Sequence, residues 1–312
     1  MELVRYGIGH FLVDFLCAWK VLGFVQEEQW IALAVVYNFC AFAMQLPIGA
    51  LADRRSWGGR ICVHGSVLVI LGLVLRNPWA SVVLVGLGNA LYHVGGGRAV
   101  LCTTKGYGPL GAFVAPGAVG LFLGGLVRGK NIWGVLGAML LLVCVLPLLG
   151  IKEKLSSPKV ERTGKLPVLF LVVLLRSFVA MTAQSPWKVG TFAFMAVLFT
   201  AWGKALGGLA ADRLGGKMAG GLSLLGASVL FLFPTSPVLG LLALLLYQMS
   251  MPITLKDGVG AYPGTIFGLM TFGLFLGFLP GIFGVSLSSW ETALLSACSG
   301  ALLLWGAGRW SS

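Results

Sequence analysis

Apolar residues run along the chain in long blocks separated by short polar joints. Blocks such as Val135 to Leu149 are apolar on every face. They show neither the period of two of a half-buried strand nor the single stripe of a soluble amphipathic helix. About 20 such residues cross a bilayer as a helix. The pattern predicts twelve spans, over 3–25, 29–52, 61–76, 79–102, 108–127, 131–150, 167–185, 188–211, 217–233, 237–255, 260–284 and 289–307. A membrane β-barrel needs alternating segments of about ten residues, which the continuous runs exclude. The longest polar stretch, Ile151 to Lys165, reads as a linker. The expected organisation is an all-α polytopic membrane protein. An N-terminal six-helix bundle over 1–150 and a C-terminal six-helix bundle over 167–312 are joined by a cytoplasmic linker over 151–166.

Composition agrees with lipid as the solvent. Of 312 residues, 58% are hydrophobic and 10% charged, against about 45–50% and about 25% in soluble domains. The first apolar block is too long for a signal-peptide core and lacks a small-residue cleavage site, so it is expected to be a retained helix. The net charge of +12 would suit nucleic acid, but the basic residues sit in short clusters between apolar blocks, as in cytoplasmic loops. With the N-terminus inside, fourteen Lys and Arg fall in cytoplasmic loops and only Arg76, Arg128, Lys130 and Lys188 fall outside. This bias implies the inner (cell) membrane with both termini cytoplasmic. Six scattered cysteines without a CxxC pair read as small core residues.

A feature repeats between the halves. Gly49-Ala50-Leu51-Ala52-Asp53-Arg54 follows span two, and Gly208-Leu209-Ala210-Ala211-Asp212-Arg213 follows span eight, with the two Asp 159 positions apart. Each Asp is expected to cap a neighbouring helix and each Arg to bond across the seam between the halves, as a gate on the cytoplasmic side. At these residues the chain resembles the major facilitator superfamily, whose signature loop is G-x-L-A-D-R-x-G-R/K. The second copy, running on to Lys217, fits well, and the first departs after Arg54. Gly111 to Gly120 is similar to the Gly- and Pro-rich fifth helix of superfamily antiporters.

A narrower resemblance is to fosmidomycin-resistance-type exporters. His10-Phe11-Leu12-Val13-Asp14 resembles their H-x-x-N-D, and Gln45-Leu46-Pro47-Ile48-Gly49 their Q-P-L-I-G. Tyr92 to Arg98 resembles F-H-P-E-x-x-R, and Arg176-Ser177-Phe178 resembles R-S-F. The glutamate of the span-four motif is Gly95 here. The resemblance implies a major facilitator fold and gradient-driven efflux, with coupling and substrate open to departure from drug export.

Ionisable groups inside spans are costly and mark functional candidates. Asp14 lies about 16 Å into span one at 1.5 Å per residue, with His10 one turn earlier on the same face. The pair reads as a proton or substrate site, or as a polar clamp between helices. Arg176 lies at about the same depth in span seven and needs an anionic partner, since a guanidinium does not neutralise itself. Asp14, an anionic substrate, or each in turn would serve, and a fixed structural pair is the alternative. Asn89 and His93 share a face of span four. Arg98, near the cytoplasmic end of that span, reads as a snorkelling side chain or as an anion contact in the gate. Asn38 and Gln248 read as cavity or interhelix hydrogen-bond groups.

Three functions follow. The first is a secondary active transporter of a small solute or drug, anionic in one form of the reading, exported by alternating access with H+ as coupling ion. The second is a divalent metal exporter using His10, Asp14 and His93, residue types that suit zinc or iron. The third is a receptor or scaffold on the same fold. Soluble-enzyme motifs and a nucleotide-binding loop do not occur. The expectation is therefore a monomer in lipid, not an enzyme, with no cofactor, no resident metal and no nucleic acid.

Overall fold

Helix starts follow the local chemistry. In the computed structural model, which describes residues 2–55, 57, 59–150, 165–259 and 262–306, Asn77 accepts a hydrogen bond from the Ala80 N–H at 3.0 Å and Pro78 follows at the first helical position. Ser236 and Pro237 open a later helix in the same way. Ser288 and Glu291 form a reciprocal capping box. Gly215, at φ 82°, allows the turn between two helices that a side chain would strain.

The helices are α1 Glu2–Val21, α2 Trp30–Asn38, α3 Gln45–Arg55, α4 Arg60–Val74, α5 Pro78–Thr103, α6 Gly108–Leu126, α7 Asn131–Val145, α8 Leu166–Thr182, α9 Gly190–Leu214, α10 Gly216–Phe231, α11 Pro237–Asp257, α12 Pro263–Ile282 and α13 Ser289–Ala301. A π-helical turn, Phe39–Ala43, joins α2 to α3, so among the described residues twelve helical rods stand where twelve spans are predicted. Seven rods are long and apolar enough to cross a membrane: Glu2–Phe24, Trp30–Arg55, Gly108–Leu126, Asn131–Gly150, Gly190–Leu214, Pro237–Asp257 and Pro263–Ile282. The chain is thus an integral membrane protein. Helices α4, α8 and α10 are apolar but shorter. The linker expected over 151–166 lies, apart from 165 and 166, outside the described residues.

The chain forms two units. Unit 1 holds Met1–Thr104, Pro116–Pro158 and Ala261–Phe272, and unit 2 holds Lys105–Ala115, Lys159–Gly260 and Gly273–Ser312. Helices α6 and α12 each contribute residues to both. In unit 1, α4 lies along α5, and α6 lies against α1. There Gly120 and Gly124, one turn apart, face the Phe11 and Phe15 carbonyls with no room for a Cβ. In unit 2, Gly203 and Gly207 on α9 face the Leu245 and Met249 carbonyls of α11 in the same manner. Small residues at one-turn spacing let backbones approach, which lipid-embedded helices need because hydrophobic burial does not drive their association.

Candidate functional site

Unit 1 buries a polar cluster between α1 and α5. The helical period sets His10 beneath Asp14 on α1, and Asn89 beneath His93 on α5. Their exposures are 5%, 6%, 2% and 9% respectively. The Asn89 amide donates to Asp14 Oδ1 at 2.9 Å and points at Cys17 Sγ at 3.7 Å. His10 Nε2 stands 3.1 Å from Asp14 Oδ2, and His93 Nε2 stands 3.6 Å from Asp14 Oδ1. The two Nε2 atoms are 2.7 Å apart, with the rings edge to face at 82°.

Proton positions follow from these distances. His93 Nδ1 lies 2.9 Å from the Asn89 carbonyl. A carbonyl only accepts, so Nδ1 carries a proton and neutral His93 presents a lone pair at Nε2. At 2.7 Å the two Nε2 atoms need a proton between them, donated by His10, with the Asp14 carboxylate alongside. Gly117 on α6 faces this point, where a Cβ would stand 2.5 Å from His10 Nε2. A side chain at 117 would fill the space beside the shared proton. The cluster can therefore take up or pass on a proton with small heavy-atom movement. Its three ligand atoms also lie within 4.8 Å of one another, and two imidazoles with a carboxylate suit a divalent transition metal.

Unit 2 holds Arg176 on α8, 4% exposed. Its Nη2 donates to Gln248 Oε1 at 3.4 Å, and its guanidinium carbon lies 5.6 Å from the centre of the Tyr247 ring. The Tyr247 hydroxyl donates to the Arg176 carbonyl at 3.0 Å. Gln248 stands 159 positions after Asn89, the offset that separates Asp53 from Asp212. The α5 amide thus serves a carboxylate in one unit, and its α11 counterpart serves a guanidinium in the other.

The repeated loops make helix caps. In unit 1, Asp53 accepts from the Gly264 N–H at 3.0 Å and from the Thr265 N–H and hydroxyl at 2.8 and 2.9 Å, capping α12. In unit 2, Asp212 accepts from the Tyr107 and Gly108 N–H groups at 2.6 and 2.9 Å, capping α6. Carboxylates at helix N-termini complete the unbonded N–H groups and oppose the dipole. The arginine expected to bond from each loop does not do so: Arg54 and Arg213 are exposed and make no side-chain hydrogen bond among the described residues. Arg98 pairs with the first Asp instead. It is 1% exposed, and it donates through Nε to Asp53 Oδ1 at 2.8 Å and through Nη1 to the Trp57 carbonyl at 2.7 Å. A basic side chain on a neighbouring helix is thereby held inward, where snorkelling would have taken it outward.

Two further polar side chains bond to nearby carbonyls. Asn38 donates to the Ala34 carbonyl of its own helix at 2.8 Å, just before the π-helical turn. Lys20 caps the end of α4, donating to the Leu73 and Leu75 carbonyls at 2.9 Å each. Three residues escaped the sequence reading. Gly117 sat unremarked within the Gly- and Pro-rich motif. Tyr107 binds Asp212 through its N–H, and its hydroxyl donates to Asp257. Burial, the Asp257 hydrogen bond and the Asp257 and Asp212 charges push the Tyr107 phenol above its ordinary range. Asp257 stands 159 positions after Arg98, so the repeat offset was the signal that could have found it.

No protein-family model matches the chain, and no curated protein matches it. Solved structures do. A crystal structure of the E. coli fucose:proton symporter FucP superposes with a TM-score of 0.73 at 12% identity, covering 98% of each chain. A structure of FucP in the outward conformation, described as a major facilitator superfamily transporter, gives 0.71 at 11% identity over 98% of this chain and 99% of that one. A bacterial homologue of the iron transporter ferroportin, outward-facing, gives 0.61 at 14% identity over 97% of each. The chain therefore has the fold of the major facilitator superfamily transporters.

Proposed function

We propose that the protein is a secondary active transporter that moves a small solute across the membrane by alternating access, with H+ as the coupling ion. The observation that carries the reading is the buried His10–Asp14–His93 cluster with its shared proton position. Its support is chemical. An intramembrane carboxylate is costly, and a scaffold or receptor gains nothing from that cost, whereas a proton carrier requires a titratable group. The fucose:proton symporter shares the fold. The protein acts as a monomer in the inner membrane with both termini cytoplasmic, and solute leaves the cell as protons enter. The Asp53 and Asp212 caps act as gates on the cytoplasmic side.

A second reading takes a divalent metal ion as the cargo. The ligand atoms of His10, Asp14 and His93, gathered within 4.8 Å, favour it. One experiment separates the two. Purified protein in proteoliposomes loaded with a pH-sensitive dye is offered candidate solutes, and separately Mn2+, Co2+ and Zn2+. Proton movement evoked by an organic solute is the expected outcome. Uptake of a metal, with no organic solute evoking any response, favours the second reading. Silence from every compound and metal contradicts both.

A further inference from the structure

Among the described residues, the two buried arginines are treated differently. Arg98 is neutralised by Asp53 at 2.8 Å. Arg176 is buried and permanently charged, yet among the described residues no carboxylate pairs with it. Among the described residues the one hydrogen bond of its guanidinium goes to Gln248 at 3.4 Å, near the long limit. Its Nε has no hydrogen-bond partner among the described residues. The Tyr247 ring offers a face to the cation and leaves the N–H edge unmet. A charge at this depth without a counter-charge is expensive, and a guanidinium edge with Nε free matches two oxygens of one anion.

We infer that Arg176 anchors an anion-binding site in unit 2, and that the transported solute is a small organic anion whose headgroup, such as a carboxylate, offers two oxygens to Arg176 and Gln248. The naming of a solute rests on the transport reading, while the binding site stands on its own geometry. In unit 1 the corresponding amide, Asn89, already serves a carboxylate of the protein. In unit 2 the carboxylate comes from the ligand, and Gln248 turns its N–H toward the ligand oxygen as Arg176 releases it. The Tyr247 hydroxyl, bonded to the Arg176 carbonyl, holds α8 and α11 together beside the site.

The test is binding without a gradient. Full-length protein in detergent is titrated with benzoate, phenylphosphonate and neutral benzamide, by calorimetry and by thermal shift. Benzoate or phenylphosphonate should bind and raise Tm, with benzamide weaker by at least about tenfold, the worth of one charge-assisted hydrogen bond. Arg176→Met should lose the anion preference while its ligand-free Tm stays level or rises, because an uncompensated buried charge is gone. Arg176→Lys keeps the charge, loses the fork, and should weaken phenylphosphonate most, which keeps the test decisive should the Met variant fail to fold. Asp14→Asn should still prefer benzoate to benzamide, whatever its absolute affinity, so a loss of proton coupling is distinguishable from a loss of the anion site. Benzamide binding as tightly as benzoate, anion affinity unchanged in both Arg176 variants, or no anion binding at all would overturn the inference.

Discussion

Asp14→Asn is expected to bring solute-driven proton movement to background while solute exchange across the membrane persists. The substitution keeps the size of the side chain and removes the only carboxylate of the cluster. Asp14 is buried and accepts from Asn89 at 2.9 Å, with His10 and His93 at 3.1 and 3.6 Å. With Asn in its place, the shared proton between the imidazoles loses the charge that stabilises it there. A charged hydrogen bond contributes about 1.5–3 kcal/mol, so Tm should also fall measurably. The check is a pair of assays on one preparation: counterflow of labelled solute, and dye-reported pH inside the vesicles. Proton movement equal to wild type in Asp14→Asn would remove Asp14 from the coupling mechanism.

The second large effect is on stability. Asp53→Ala leaves Arg98 buried at 1% exposure with, among the described residues, only the Trp57 carbonyl as partner. Removing one member of a buried pair costs about 3–5 kcal/mol, and losing the α12 cap adds about 1 kcal/mol. Asp212→Ala removes a cap of the same design from α6 but strands no buried cation, so about 0.5–2 kcal/mol is expected. Thermal unfolding in detergent should rank Asp53→Ala well below Asp212→Ala. The double variant Asp53→Ala/Arg98→Met should recover part of the loss. Equal losses at the two sites would mean that the Arg98 pair contributes little beyond the cap.

Much of this architecture is legible in residue order because lipid imposes it. Twelve blocks near span length predict twelve rods, and once the 3-10 and π-helical turns that finish three of them (Leu22–Phe24, Leu146–Gly150 and Leu302–Gly306) are included, the observed bounds fall within about three residues of the predicted ones. Where the rule weakens, it does so for physical reasons. Helix α5 is long, but it carries Asn89, His93, Arg98 and several glycines, so it falls outside the helices apolar enough to cross a membrane by composition. The pairs His10/Asp14 and Asn89/His93 follow from helical period alone. Their meeting does not, because it depends on how α1 and α5 pack. The inward turn of Arg98 was equally hidden. Its partner Asp53 is 45 positions away, and snorkelling was as good a reading from one helix. The membership of the units was hidden too, since part of α12 belongs with helices more than 150 positions earlier.

The most direct test of the central claim is proton exchange on binding, measured without transport. Once a solute that binds is in hand, its binding heat is measured by calorimetry in buffers of different ionisation enthalpy, for wild type and Asp14→Asn. Proton coupling at His10–Asp14–His93 predicts that the wild-type heat varies with the buffer, reporting protons taken up or released per solute, and that this dependence disappears in Asp14→Asn. A heat independent of buffer in the wild type, or an undiminished dependence in Asp14→Asn, would contradict it.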